Sequence, residues 1–293
     1  MRKPNLFVIG APKTGTTALA KWLSGHPAVF FSEDKEPNFF STDFRLRKRP
    51  SEAEYSALFS GATETHRYVA EGSTRYLAST VAVPAIEKWC AAPKYIAIVR
   101  NPVELVHSLH NHHVFLNIEQ HEDFGKAWHM SEARARDEDI VPNCTDPDSL
   151  VYTRMGMLGE QISRLFETVP EERRKVMVYD DLKRDGAAFY RDALAFLGLE
   201  DDQQDVFEPV NVSMAQRSRF VAGAIDALAA IKEASGIKRS FNILAPIQNI
   251  NRADRPREIM SPALSRELKD YFRDDVALLS SLLGHDLSAW TAA

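Results

Sequence analysis

Residues 6–17 run Leu6-Phe-Val-Ile-Gly10-Ala-Pro-Lys-Thr-Gly-Thr-Thr17. The apolar run Leu6–Ile9 is bounded by a turn residue and is too short for a helix, so it predicts a buried strand. Helical spacing begins at Thr17-Ala-Leu-Ala-Lys-Trp-Leu-Ser24. Gly10 and Gly15 have the Walker A spacing, Gly-x4-Gly-Lys-Ser/Thr, in its strand-to-helix setting. Thr16 stands where the Walker lysine belongs, and Lys13 lies inside the loop. A nucleotide kinase or ATPase needs that lysine on the outer phosphates, so another phosphate-bearing ligand is favoured. Backbone N–H groups of residues 14–17 and the positive end of the helix dipole suit an anion, and the Thr16 and Thr17 hydroxyls add donors. Lys13 is placed to bind the oxygen between a phosphate and its leaving group as that bond breaks. The bland alternative is a ligand-free turn, for which Lys-Thr-Gly-Thr-Thr has no evident packing use.

Three further segments predict buried parallel strands: Tyr68–Glu71, Tyr95–Arg100 and Lys175–Tyr179. Helical patterns lie between them, at Pro102–His110 and Gly156–Phe166, with Ala187–Leu197 after the last. The alternation predicts one α/β domain over residues 1–293, a P-loop-like three-layer α/β/α fold with a mostly parallel central sheet. Ligands of such sheets bind at the carboxyl ends of the strands. Residues 111–150, rich in His, Glu, Asp and Arg, predict a mobile lid or acceptor-side insertion. Residues 211–293 form the helical C-terminal part of the same domain: a helix after Met214, a polar stretch from Gly236 to Met260, and a last helix to about Leu283, capped by Ser261 with Pro262 at its first position.

The 293 residues are 44% hydrophobic and 26% charged, an ordinary globular balance. A net charge of −5 argues against nucleic acid or an anionic membrane as partner, while leaving room for a local basic pocket. Cys90 and Cys144 are too few for a disulfide framework and lack CxxC spacing, so both read as structural. Leu6–Ile9 is too short for the apolar core of a signal peptide, and no segment approaches the roughly 20 apolar residues of a bilayer span. A cytoplasmic protein is expected. No motif specifies an oligomeric state.

The loop Pro12-Lys-Thr-Gly-Thr-Thr17 resembles the 5′-phosphosulfate loop, Pro-Lys-x-Gly-Thr-Thr, of the 3′-phosphoadenosine-5′-phosphosulfate (PAPS)-dependent sulfotransferase family, in its bacterial, carbohydrate-type form. Ile98-Val-Arg-Asn-Pro-Val-Glu-Leu-Val-His-Ser108 is similar to the family's 3′-phosphate motif, an Arg-x-Pro with a serine eight residues beyond the arginine. By that resemblance Arg100 and Ser108 bind the 3′-phosphate, and Lys13, Thr14, Gly15, Thr16 and Thr17 bind the 5′-phosphosulfate. Glu36-Pro-Asn-Phe-Phe40 resembles the Glu-Pro-x-Phe-Phe segment whose glutamate is the general base, with Phe39 and Phe40 walling the pocket. An exposed acidic loop with two core aromatics is the alternative. Glu71-Gly-Ser-Thr-Arg-Tyr76 departs from the family's Glu-Lys-Ser/Thr-Pro-x-Tyr: Gly72 replaces a lysine, and either Lys13 suffices or another cation, Arg75 being nearest, substitutes. Tyr179, in a Tyr-Asp-Asp-Leu segment, is expected near the adenine or in the core. Arg217 and Arg219 are expected either over the 3′-phosphate or at a solvated helix start.

The resemblance spans Phe7 to Trp290 and implies in-line sulfuryl transfer from PAPS, with Glu36 and Lys13 catalytic and no metal. The expected acceptor is a hydroxyl or amine, first of a glycan or glycolipid, with a lipid or secondary-metabolite hydroxyl behind it. His107, His110, His112 and His113 read mainly as solvated lid surface, with catalysis as their alternative role. Phe115, Phe124, Trp128, Glu119 and Glu122 of the insertion fit several acceptor classes equally. The rival functions are a catalytically inactive nucleotide-binding protein of the same fold and a P-loop nucleotide kinase.

Overall fold

The computed structural model describes residues 2–138, 141, 144–204, 207 and 260–292, and the backbone of 215–216 and 252–253. The chain opens with β1 (Leu6–Gly10), α1 (Thr16–Gly25), β2 (Val29–Phe31), α2 (Glu52–Ala57), β3 (Tyr68–Gly72), α3 (Arg75–Ala78), α4 (Ala82–Trp89) and β4 (Lys94–Val99). It continues through α5 (Pro102–Phe115), α6 (Phe124–His129), α7 (Ser131–Ala135), α8 (Tyr152–Gly156), α9 (Leu158–Thr168), β5 (Arg174–Val178), α10 (Tyr179–Arg184) and α11 (Gly186–Leu197). A short antiparallel pair, β6 (Ala215–Gln216) with β7 (Arg252–Ala253), precedes α12 (Pro262–Leu283).

The main sheet has the order β2-β3-β1-β4-β5, every neighbouring pair parallel. β1 is central and wholly buried. Its side chains alternate between two apolar clusters, Phe7 and Ile9 in one, Leu6 and Val8 in the other. β4 does the same, with Tyr95, Ala97 and Val99 opposite Ile96 and Ile98. The period of two in a strand therefore builds three layers. On the Leu6 side α1 supplies Leu19, Trp22 and Leu23, and α11 supplies Tyr190 and Leu194. On the Phe7 side α4, α5, α9 and α12 close the core, with Phe272 and Leu279 of α12 fully buried. Ser261 caps α12, its hydroxyl accepting the Leu264 N–H at 3.2 Å, with Pro262 at the first position as expected.

The chain moves from β1 out to β2, returns through β3, and then crosses to β4 on the other side of β1. Such a reversal opens a crevice at the carboxyl ends of the central strands. Four loops converge there, after β1, β2, β3 and β4. Within the main sheet β2 is the strand that periodicity misses, its three residues being too few to show alternation.

The described part of 111–150 packs into the interior. α5 runs on to Phe115, Phe124 and Trp128 of α6 join the core, and the Glu119 carboxylate lies buried with the Arg134 guanidinium at 2.7 Å. This corrects the solvated reading of the histidines: His110 and His113 are buried, their residues falling three apart on the inward face of α5. His110 Nε2 meets the His121 carbonyl at 2.8 Å, and His113 lies beside the Tyr152 and Ser149 hydroxyls. Cys90 is buried and free, its thiol donating to the Pro4 carbonyl and pushed up to about 12 by burial. Arg217, Arg219, the helix after Met214 and most of the stretch from Gly236 to Met260 lie outside the described residues. Among the described residues no helix is long and apolar enough to cross a membrane, and no group of three His, Cys, Asp or Glu could hold a metal ion.

Candidate active site

The loop after β1 is shaped by its glycines. Gly15 caps α1 at φ +88°, and a Cβ added there would lie 2.3 Å from Leu182 Cδ2. Only glycine meets both conditions. Gly15 has no side chain to cap α1 and the first turn carries no acidic residue; the Ala18 N–H is taken by the Gly15 carbonyl at 2.9 Å, and among the described residues the Thr16 and Thr17 amides are left for an external anion. Lys13 is also held at positive φ, +61°, and its carbonyl accepts from Arg100 Nη1 at 3.0 Å. The Thr14 hydroxyl is committed inward, donating to the Ala11 carbonyl at 2.6 Å, so Thr14 can offer a ligand its amide only.

A cavity of about 540 Å³ opens over this loop. Lys13, Gly15, Thr16 and Thr17 line one side, Glu36, Thr74 and Arg75 another, and Ser108 and His112 of α5 a third. Leu109, Phe115, Leu116, Ile118 and Met155 make its apolar wall. A cavity of about 650 Å³ between α6 and the start of α12 contains none of the loop residues.

Glu36 sits after β2 at φ +62°, with Asn38 at +51° close behind. Left-handed backbone at non-glycine residues costs about 1–2 kcal/mol each and persists where the surroundings impose it. Here the imposition is visible. The Glu36 N–H donates to the Gly72 carbonyl at 2.9 Å, and the Asn38 N–H donates to Ser73 Oγ at 3.0 Å. The Glu36 carboxylate accepts the Thr74 N–H at 3.0 Å and the Thr74 hydroxyl at 2.9 Å, with Arg75 Nη1 at 3.4 Å. Among the described residues Oε1 receives only the Thr74 hydroxyl, which leaves it a lone pair for an acceptor proton.

Phe39 and Phe40 do not wall this cavity. Phe39 stacks on Tyr55 with centroids 4.4 Å apart, and Phe40 packs edge-on against Phe7 and Tyr76, so the pair anchors the Glu36 loop in the core. Of the insertion's candidate acceptor residues only Phe115 reaches the cavity wall. Arg75 joins Glu36 to the buried Asp146 carboxylate rather than standing free as a replacement cation.

Arg100, at the end of β4, is buried beside the loop. Its guanidinium meets Glu104 Oε2 at 2.6 Å and lies 4.6 Å over the Tyr179 ring. Tyr179 in turn approaches the Gly15 backbone, so Arg100, Tyr179 and the loop form one packed unit. Neither Arg100 nor Tyr179 lines the cavity itself, whereas Ser108 does.

Lys35 is the residue that motif matching passes over. Its ammonium donates to the Thr17 hydroxyl, with the Thr16 hydroxyl at 3.5 Å. The cavity thus carries concentrated positive charge in a chain of net charge −5. Burial, then the Arg100 and Lys35 charges, lower the Lys13 ammonium, and burial lowers that of Lys35 against the pull of Glu36. Burial, with Lys13 and Arg75, pushes His112 down to about 4, so its imidazole is neutral at pH 7. An arriving anion relieves this mutual repulsion.

Behind the site, Glu71 accepts from Tyr55 at 3.1 Å and from Ser73 at 2.9 Å, tying the loop to β3. Burial raises its carboxyl to about 7, against these hydrogen bonds. A carboxyl raised on folding keeps its proton where the unfolded chain has lost its own. Its stabilising contribution is therefore full below pH 4.5 and is lost as pH rises towards 7, by about 3 kcal/mol. Melting temperatures followed over that window should fall with rising pH in the wild type, and less steeply in Glu71→Gln. Equal slopes would show that Glu71 does not titrate there.

A model of the sulfotransferase domain matches residues 3–219. Comparison with curated proteins yields no matching relative. Among solved structures, a sulfotransferase from Alicyclobacillus acidocaldarius is 25% identical, each chain covered in full, with a TM-score of 0.75. A mouse sulfotransferase crystallised with PAP is 16% identical, with 94% of this chain and 86% of that chain covered and a TM-score of 0.51, a likeness of fold.

Proposed function

The chain belongs to the sulfotransferase domain family, and from that premise we propose that it transfers a sulfuryl group from PAPS to an acceptor hydroxyl or amine at the cavity over the β1 loop. The observation that carries the proposal is that Lys13, at the anion-binding helix start, and Glu36, a carboxylate with an open lone pair, line one cavity.

In the proposed reaction the 5′-phosphosulfate lies on the first-turn amides of α1. Thr16 and Thr17 add hydroxyl donors. The 3′-phosphate takes the place of the half-exposed Glu104 carboxylate on the Arg100 guanidinium, with Ser108 donating from α5. Glu36 accepts the proton of the acceptor as its oxygen or nitrogen bonds to sulfur. On the opposite side of sulfur the bond to the bridging phosphate oxygen breaks, and both of its electrons leave with 3′,5′-adenosine bisphosphate (PAP). Lys13 meets the charge that develops on that oxygen. Thr74 and Arg75 hold the Glu36 carboxylate in place, so its orientation is set before the acceptor arrives.

The acceptor class is read from the apolar part of the cavity lining. Five apolar side chains, Leu109, Phe115, Leu116, Ile118 and Met155, suit an alcohol or amine on an apolar body better than a bare glycan, and a glycolipid combines the two. Labelled PAPS offered with glycans, phenols and amphiphilic alcohols tests both parts. Transfer to amphiphilic alcohols or glycolipids is expected. Transfer confined to free oligosaccharides contradicts the acceptor assignment, and no transfer to any acceptor despite PAP binding supports an inactive nucleotide-binding protein.

A further inference from the structure

We infer that Lys35 is a second cation on the phosphosulfate of the donor, and that it does from the end of β2 what a lysine at position 72 would do from the end of β3. The inference rests on the sulfuryl-transfer reading above and deepens it.

Gly72 closes β3, where the resembling family pattern has a lysine. A Cβ built on Gly72 falls 3.6 Å from Lys35 Cε and 3.4 Å from the Phe31 ring. The end of the Lys35 stem therefore lies in contact distance of the place a side chain at 72 would start from. From there its ammonium reaches the Thr17 hydroxyl on the first turn of α1, where a helix start draws an anion. Arg75, the other nearby cation, is held between Glu36 and Asp146 and points at the base instead.

The partners of Lys35 sharpen the assignment. Its hydrogen bonds go to two hydroxyls, Thr17 and Thr16, which satisfy its geometry but not its charge. Among the described residues it forms no ion pair, although its neighbour Glu36 supplies some attraction. A half-buried ammonium without a paired anion is costly unless a ligand brings the charge. Lys13 lines the same cavity from the opposite end of the loop. Two ammonium groups there can share the charge of the bridging oxygen and the sulfuryl oxygens in the transition state, one from each side.

The test exchanges the lysine between the two positions in the full chain. Labelled-PAPS turnover, PAP titration and melting temperature are measured for Lys35→Met, Lys35→Ala and Lys35→Ala/Gly72→Lys. Lys35→Met keeps the apolar stem beside Gly72 and removes only the charge. Its kcat at saturating PAPS is expected to fall about 100-fold, the usual scale for losing one preorganised transition-state donor. Its Kd for PAP, which lacks the sulfuryl group, should rise no more than about tenfold, the lower edge of the range for one charge-assisted bond. In Lys35→Ala the stem is gone, and Gly72→Lys should then restore kcat by about tenfold over Lys35→Ala alone. The inference is overturned if Lys35→Met keeps kcat within about threefold of the wild type. It is equally overturned if the double variant melts and binds PAP as Lys35→Ala does but recovers no turnover. Absence of any turnover in the wild type would instead strike the sulfuryl-transfer reading, so the two failures are separable.

Discussion

Replacing Lys13 by methionine is expected to lower kcat about 10²- to 10³-fold, equivalent to roughly 3–4 kcal/mol of transition-state stabilisation. Methionine keeps the unbranched stem and removes only the ammonium. The size of the effect follows from where that ammonium lies: partly desolvated, on a backbone fixed by the Arg100 hydrogen bond to the Lys13 carbonyl, and facing the cavity shared with Glu36. Little reorganisation is required of such a group as charge appears on the leaving oxygen. PAP itself carries the phosphate that Lys13 meets, so its affinity should also fall, by about 1.5–3 kcal/mol for a charged hydrogen bond. Lys35 and Lys13 are thereby distinguished, since loss of Lys13 weakens both PAP binding and turnover while loss of Lys35 acts mainly on turnover. Steady-state kinetics and PAP titration of Lys13→Met check this. Unchanged kcat with weakened PAP binding would make Lys13 a binding residue only.

For Glu36→Gln the expected result is a kcat loss of about 10²- to 10⁴-fold, the range of a positioned general base. PAP affinity should stay within about threefold, because no cofactor contact is assigned to Glu36 and glutamine can still accept from Thr74. The separation of turnover from cofactor binding is what identifies a base, since a collapsed site would lose both. Should Glu36→Gln keep full activity, the base lies elsewhere, and His112 is the neutral imidazole lining the same cavity to replace next.

The parts of the fold legible beforehand were those dictated by local chemistry. β1 with its loop announces itself because a buried strand, two glycines and a hydroxyl-rich helix start have few other uses, and α12 because Ser261 and Pro262 are capping residues. Side-chain direction was harder to read. Phe39 and Phe40 follow Glu36 in sequence yet turn into the core, because Tyr55, Trp89 and Tyr76, brought in by α2, α4 and α3, form an aromatic pocket that no local pattern reveals. His110 and His113 look solvated by composition and are buried because their partners, the His121 carbonyl and Tyr152, arrive from later in the chain. Lys35 was hidden for the same reason. Its meaning depends on the emptiness of Gly72, on a different strand, and only β2–β3 pairing brings the two together. Gly72 is conspicuous in the sequence as a missing lysine, and the cation nearest it in space, Lys35, belongs to the segment after the neighbouring strand, whereas Arg75, nearest in the chain, is turned to Glu36 and Asp146.

Calorimetric titration with PAP in the presence of a metal chelator, set beside titration with ATP and magnesium, tests most directly whether the β1 loop serves a nucleotide bearing both 5′- and 3′-phosphates. PAP is predicted to bind without metal, and its binding to weaken in Lys13→Met and in Arg100→Ala. Magnesium-dependent ATP binding with no detectable PAP binding would contradict the account and return the loop to a kinase.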